Sequence, residues 1–134
     1  MQLLNYNAIE VVQILVSIFF SIVFFQSGID KIIDRDGNIS FFEDHFNKTA
    51  LRSVTALILT MLTILELIAA AMCFLGCFNS LIYRNAVFIF YGLILCAIVL
   101  LLLLFGQRIA KDYVGAADIT IYFILCIITI MSFK

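Results

Sequence analysis

Four apolar runs, each long enough to cross a bilayer, constrain this chain more than any other feature. A helix rising 1.5 Å per residue needs about 20 mostly apolar residues to traverse the hydrocarbon core. The 134-residue sequence offers such segments at about 9–33, 50–76, 81–105 and 112–133. The first is densest from Ile14 to Phe25, and the third contains the block Leu100 to Leu104. The chain is 65% hydrophobic and 13% charged, with no proline, whereas soluble domains run at about half apolar and a quarter charged. The expected fold is therefore all-α: one integral membrane domain forming a four-helix bundle. Short second and third loops make consecutive helices antiparallel neighbours, giving up-down topology. MQLLNYNAIE carries no lysine or arginine, so it lacks the positive n-region of a secretory signal, and the first run is expected to be a permanent span. A net charge of −1 gives no basic footprint for nucleic acid.

The first loop is the one substantial non-span segment. Asp34, Asp36, Gly37 and Asn38 are turn formers. Ser40-Phe41-Phe42-Glu43 has the form of a capping box, and Phe42 and Phe46 then share one side of the following turns. This pattern predicts a short interfacial helix over about 41–48. Asp34, Asp36, Gly37, Ile39 and Glu43 also fit positions of a calcium loop, but its first position falls on Ile32, which has no ligand oxygen. His45 is the single histidine and is expected to be an ordinary interfacial residue. Lysines and arginines set the orientation. Lys31, Arg35, Lys48, Arg52, Arg108 and Lys111 lie at one side, against Arg84 and Lys134 at the other. This places loops one and three in the cytoplasm and both termini outside.

The four cysteines, Cys73, Cys77, Cys96 and Cys126, all lie in apolar runs. None forms a C-x-x-C, and none has zinc spacing with a histidine. They read first as small packing residues. Cys73 and Cys77 share one face of one helix, and a redox or ligand role for them is the second reading.

Glu66 stands alone as a charge within ILTMLTILELIAAAMCFLG. An ionised side chain at such depth costs about 2.5 kcal/mol or more and ordinarily faces the bundle interior. Thr55, Leu59, Thr63, Glu66, Ala70, Cys73 and Cys77 fall on one helical stripe of small and polar residues, the kind that lets helices approach in lipid. Glu10, Gln13, Ser17, Ser21, Gly28 and Lys31 form the matching stripe on the first helix. The third contributes Gly92, Cys96, Val99, Leu103 and Gly106, and the fourth Gly115, Asp118, Tyr122, Cys126 and Thr129.

Measured from Gly76, Glu66 lies about 15 Å deep, which sets it level with Ser17, Ser21, Tyr91 and Tyr122. It is expected to be a protonated acid held by the hydroxyls of Tyr91, Tyr122 and Ser17, with Lys31 too far away to pair. Its role is then interhelical glue, or proton or ligand handling. A second polar group, Gln26, Asp30, Lys31, Arg108, Lys111 and Asp112, gathers at the loop-one and loop-three surface. There Lys31 could pair with Asp112 and Asp30 with Arg108, as interfacial anchors or a headgroup site.

FFQSGIDKIID resembles the Gly-x-x-Lys signature of the DoxX family in Gly28 and Lys31. The second-span glutamate followed by small residues, Glu66 to Gly76, is similar to that family too. GQRIAKDYVGAADITIYFI resembles its bacteroidete-type members. The resemblance covers nearly the whole chain and implies a four-helix protein of the bacterial inner membrane, associated with quinone-linked or other redox complexes. The family-motif positions here are Gly28, Lys31 and Glu66. The chain departs from disulfide-generating quinone enzymes in having no C-x-x-C.

Three functions follow as expectations. The first is a small subunit of a quinone-linked or other redox membrane complex with quinone as candidate cofactor, either without activity on its own or as a quinone-linked oxidoreductase subunit. The second is a non-catalytic accessory subunit that packs, through its Phe and Leu surface, on a larger membrane complex or on further copies of itself. The third is a small proton-coupled transporter. Four-helix exporters, however, carry their glutamate in the first span.

Overall fold

The computed structural model describes residues 2–3, 6–37, 39–40, 55–109 and 111–133. Four helices dominate it: α1 Ala8–Ile33, α2 Thr55–Tyr83, α3 Val87–Ile109 and α4 Tyr113–Met131. All four are long and apolar enough to cross a membrane, and the chain is a multi-pass membrane protein with an all-α bundle fold. A two-residue antiparallel pairing, β1 Gln2–Leu3 with β2 Tyr6–Asn7, precedes α1. The interfacial helix expected over 41–48, with the Ser40–Glu43 capping box, lies outside the described residues.

Each boundary has a local cause. Asn7 caps α1, its side chain accepting from the Glu10 amide at 2.8 Å, which satisfies one of the orphan donors of the first turn. Past Tyr83 the chain reverses at Arg84, whose φ of 54 lies in the left-handed region. The Arg84 amide closes on the Ser80 carbonyl at 2.9 Å, and Asn85 Oδ1 receives the Val87 amide at 3.0 Å. Lys111 does the same work after α3. With φ 61, it lets its own amide reach Arg108 O and the Asp112 amide reach Gln107 O. That pair of bonds is a Schellman closure, usually built on glycine. Asp112 then caps α4 by accepting from the Gly115 amide at 3.1 Å.

The second and third spans were placed too early in the sequence. α2 runs on through Asn79 and Ser80 to Tyr83, and the turn falls at 84–86, not around 77–80. Nothing in Cys77–Tyr83 stops a helix, and its polar residues find partners. Ser80 is buried, and Asn79 Nδ2 reaches the Asn85 carbonyl at 3.5 Å.

Neighbours in sequence pack as neighbours in space: α1 on α2, α2 on α3, α3 on α4, with α1 touching α3 and α4 more sparingly. The core holds Phe20, Phe24, Ile89, Leu93, Val99 and Leu100. The rings of Phe20 and Phe24 stack at 5.9 Å. Between α2 and α3 the backbones come close where Gly76 meets Ile89 and Gly92 meets Cys73. The α1–α4 seam is held at the terminal end by Gln13 Nε2 donating to Ser132 Oγ at 2.9 Å, and by Phe19 against Tyr122 at 5.9 Å. At that same end Arg84 bridges both oxygens of Glu10 at 3.1 Å. Arg84 is 49% exposed, so the bridge is screened. Arg84→Ala is expected to lower unfolding free energy by less than about 1 kcal/mol, read as a small shift in the melting midpoint in detergent. A loss several times larger would mean this bridge anchors the terminal end.

Candidate functional site

The stripes on the first three helices face inward. Gln13, Ser17, Ser21 and Gly28 of α1 are buried, as are Leu59, Thr63, Glu66, Ala70, Cys73 and Cys77 of α2, and Gly92, Cys96 and Val99 of α3. Cys126 and Thr129 of α4 are buried as well. Most of the hydroxyls bond back to their own helix: Ser17 to Ile14 O, Thr63 to Leu59 O, Thr129 to Leu125 O. That pattern satisfies each donor inside lipid without linking helices.

Glu66 is the exception, and its partner is Lys31. Lys31 Nζ lies 3.2 and 3.3 Å from the two carboxylate oxygens, with Glu66 at 0% and Lys31 at 11% exposure. The ammonium also donates to Ser27 Oγ at 2.7 Å. All three donors of the lysine are thus engaged. One turn further, Arg35 Nη2 donates to Thr60 Oγ1 at 2.7 Å, carrying the α1–α2 contact to the end of the helix pair.

This overturns the expectation of a hydroxyl cage. Tyr91 is 56% exposed and turned outward. Tyr122 packs on Phe19, and Ser17 sits beside Cys77, far along α1 from Lys31. The cause is register. Gly28 lies opposite Leu67, so Glu66 faces the last turns of α1 and not its middle. Taking Gly76 and not Tyr83 as the end of the second span accounts for seven residues of the displacement, about 10 Å along the axis.

The surface charge cluster is also resolved differently. Lys31 goes to Glu66 and not to Asp112, which is the α4 cap. Arg108 stays at the surface, its guanidinium 4.7 Å over the Tyr113 ring, a cation–π contact. Gln26 and Asp30 are exposed. Asp118 was expected on the inner stripe of the fourth helix but is exposed. Gly28 gives Leu67 room one turn before Lys31, and Lys31 meets Glu66. Ser27 and Thr60 were missed at the sequence level. The signal for Ser27 was its i,i+4 spacing to Lys31, which puts both on one face.

Chemically the site is a cation, a carboxylate and a hydroxyl in the low-dielectric contact between two helices. Such a group can donate to a carbonyl oxygen, accept from a hydroxyl, and exchange a proton between its members. Among the described residues there is no cluster of metal-ligating side chains. Comparison with protein-family models, curated proteins and solved structures found no match to this chain.

Proposed function

We propose that this chain is a small DoxX-like subunit of a quinone-linked redox assembly in the bacterial inner membrane, with Lys31, Glu66 and Ser27 as the headgroup site. The observation that carries the reading is the buried Lys31–Glu66 pair with a serine on the same ammonium. A quinone carbonyl can take the place of Ser27 Oγ on Lys31, and a hydroquinone hydroxyl can donate to Glu66, so both redox states find a complementary partner. The pair lies near one end of α1, where the 11% exposure of Lys31 leaves an edge open to a ring arriving from the bilayer. Lys31, Arg35, Arg108 and Lys111 lie at this end, which favours a cytoplasmic position for it and an outside position for both termini.

Quinone extracted from the purified protein is the direct test. The native chain is expected to retain quinone through purification in mild detergent, and Glu66→Gln is expected to lose most of it. Equal retention by both proteins would remove the site from consideration.

A second reading, an accessory subunit packed on a larger complex, is favoured by α4. Only 17% of its most apolar stretch is buried, against 33 to 39% for the other helices, and Asp118 is presented outward from it. A carboxylate facing lipid is costly, and a polar group on a neighbouring helix would relieve that cost. The transporter reading draws less support. Glu66 is already neutralised by a lysine, and the hydroxyls beyond it are turned to their own helices.

A further inference from the structure

The α2–α3 interface holds a second chemical group that the Lys31–Glu66 site does not use. Cys73 Sγ and Cys96 Sγ lie 3.7 Å apart, on different helices, both at 0% exposure, and both are free thiols. We propose that Cys73 and Cys96 are a site of oxidation, closing to an interhelical disulfide when a small membrane-permeant peroxide reaches them.

The geometry carries this reading. A disulfide brings its sulfurs to about 2.0 Å with Cα atoms about 4.4–6.8 Å apart, so the two helices must approach unusually closely. They do so because Gly92 and Gly76 remove side chains from the contact. A Cβ at Gly92 would lie 3.1 Å from Cys73 Sγ and 3.2 Å from its amide nitrogen. Cys73 and Cys77, by contrast, are on one helix and would join nothing together. Cys126, the third thiol of this core, donates to the Leu93 carbonyl at 3.1 Å and is committed to that bond. Of the four cysteines, Cys73 and Cys96 therefore form the pair facing each other across two elements.

The chemistry balances without a bound cofactor. One thiol attacks the peroxide: its S–H bond and the O–O bond break, an S–O bond forms, and the proton leaves with the second oxygen as water. The resulting sulfenic acid is attacked by the other thiol. The S–S bond forms, the S–O bond breaks, and the second proton leaves with the hydroxyl as water. Two thiols are oxidised and one peroxide is reduced to two waters. Burial selects the reagents, since a small neutral peroxide can enter a breathing helix pair while a thiol reductant, which must place a thiolate on the disulfide, is held out.

The full chain in detergent is treated with hydrogen peroxide, its remaining thiols are blocked with N-ethylmaleimide, and it is then denatured and cut with trypsin. Cleavage at Arg52, Arg84 and Arg108 puts Cys73 and Cys77 in peptide 53–84 and Cys96 in peptide 85–108. The expected product is these two peptides joined, carrying one maleimide on Cys77, otherwise short of their summed mass by two hydrogens, and separated by dithiothreitol. Cys73→Ala and Cys96→Ala should abolish it, and Cys77→Ala and Cys126→Ala should retain it. Full labelling of both peptides after peroxide, oxidation to sulfinic or sulfonic acid without a cross-link, or a link made through Cys126 would each overturn the proposal. Because the first readout is taken on the native chain, misfolding of a variant cannot mask the answer. This test makes no use of quinone, so it stands or falls apart from the headgroup site.

Discussion

Replacing Lys31 with methionine is expected to lower unfolding free energy by about 3–5 kcal/mol, and adding Glu66→Leu to the same chain is expected to restore most of it. Methionine keeps the unbranched stem of lysine and removes the cation. It leaves a carboxyl with no exposure whose remaining polar neighbour is Ser27. The penalty is the desolvation of a carboxylate that no longer has a counter-charge, and it is larger than the net worth of the pair itself. In the double variant neither charge remains to be desolvated, and two apolar side chains of similar length meet between α1 and α2. The measurement is equilibrium unfolding in mixed micelles for the native chain, both single variants and the double variant, closed as a thermodynamic cycle. A Lys31→Met chain as stable as the native one would mean that the carboxyl needs no cation. A double variant as unstable as the single one would mean that the two residues act separately. If the site also receives a headgroup, the stable double variant should be the one that has lost quinone, separating stability from binding in a single protein.

The existence and number of the helices could be read from the sequence because apolar length is a physical requirement of the bilayer, independent of what the helices touch. Which face turns inward was legible for α1, α2 and α3, since the small and polar stripes of Ser17, Ser21, Thr63, Glu66, Cys73 and Gly92 are the residues found buried. Register was not legible. A hydropathy profile sees the apolar slab but not the turn, and the turn between α2 and α3 is made by Arg84 in a left-handed conformation and by the Asn85 cap. Neither is the glycine or proline that ordinarily announces a reversal. Moving that turn from around residue 78 to 84–86 slides Glu66 away from Ser17 and towards the last turns of α1, and the contact of Gly28 with Leu67 brings it to Lys31. The Glu66 site was therefore found as a residue and missed as a constellation. Asp118 failed for a different reason: only 17% of the most apolar stretch of α4 is buried, so its stripe does not have to face inward along its whole length.

Gly76→Ala is expected to destabilise the bundle by about 1–3 kcal/mol, while Gly28→Ala stays within about 1 kcal/mol of the native chain. In the interior of a helix the added methyl by itself favours folding, because it reduces the freedom of the unfolded chain and raises helix propensity. What differs is the atom it meets. At Gly76 the new Cβ would lie 2.7 Å from the Ile89 backbone nitrogen and 3.0 Å from the Phe88 carbonyl carbon. Those atoms can retreat only if α3 moves bodily away from α2, loosening Ile89 and Leu93 in the core. At Gly28 it would meet the side chain of Leu67, 2.6 Å from one methyl, and a leucine that is half-buried at the bundle edge can rotate aside. Melting midpoints of the two variants, compared with the native chain in one detergent, give the contrast directly. If Gly28→Ala instead lost quinone while keeping its melting midpoint, that glycine would be holding space at the Lys31–Glu66 site for a ligand. Equal destabilisation by both changes would mean that α1 and α2 are locked as tightly at Leu67 as α2 and α3 are at Ile89.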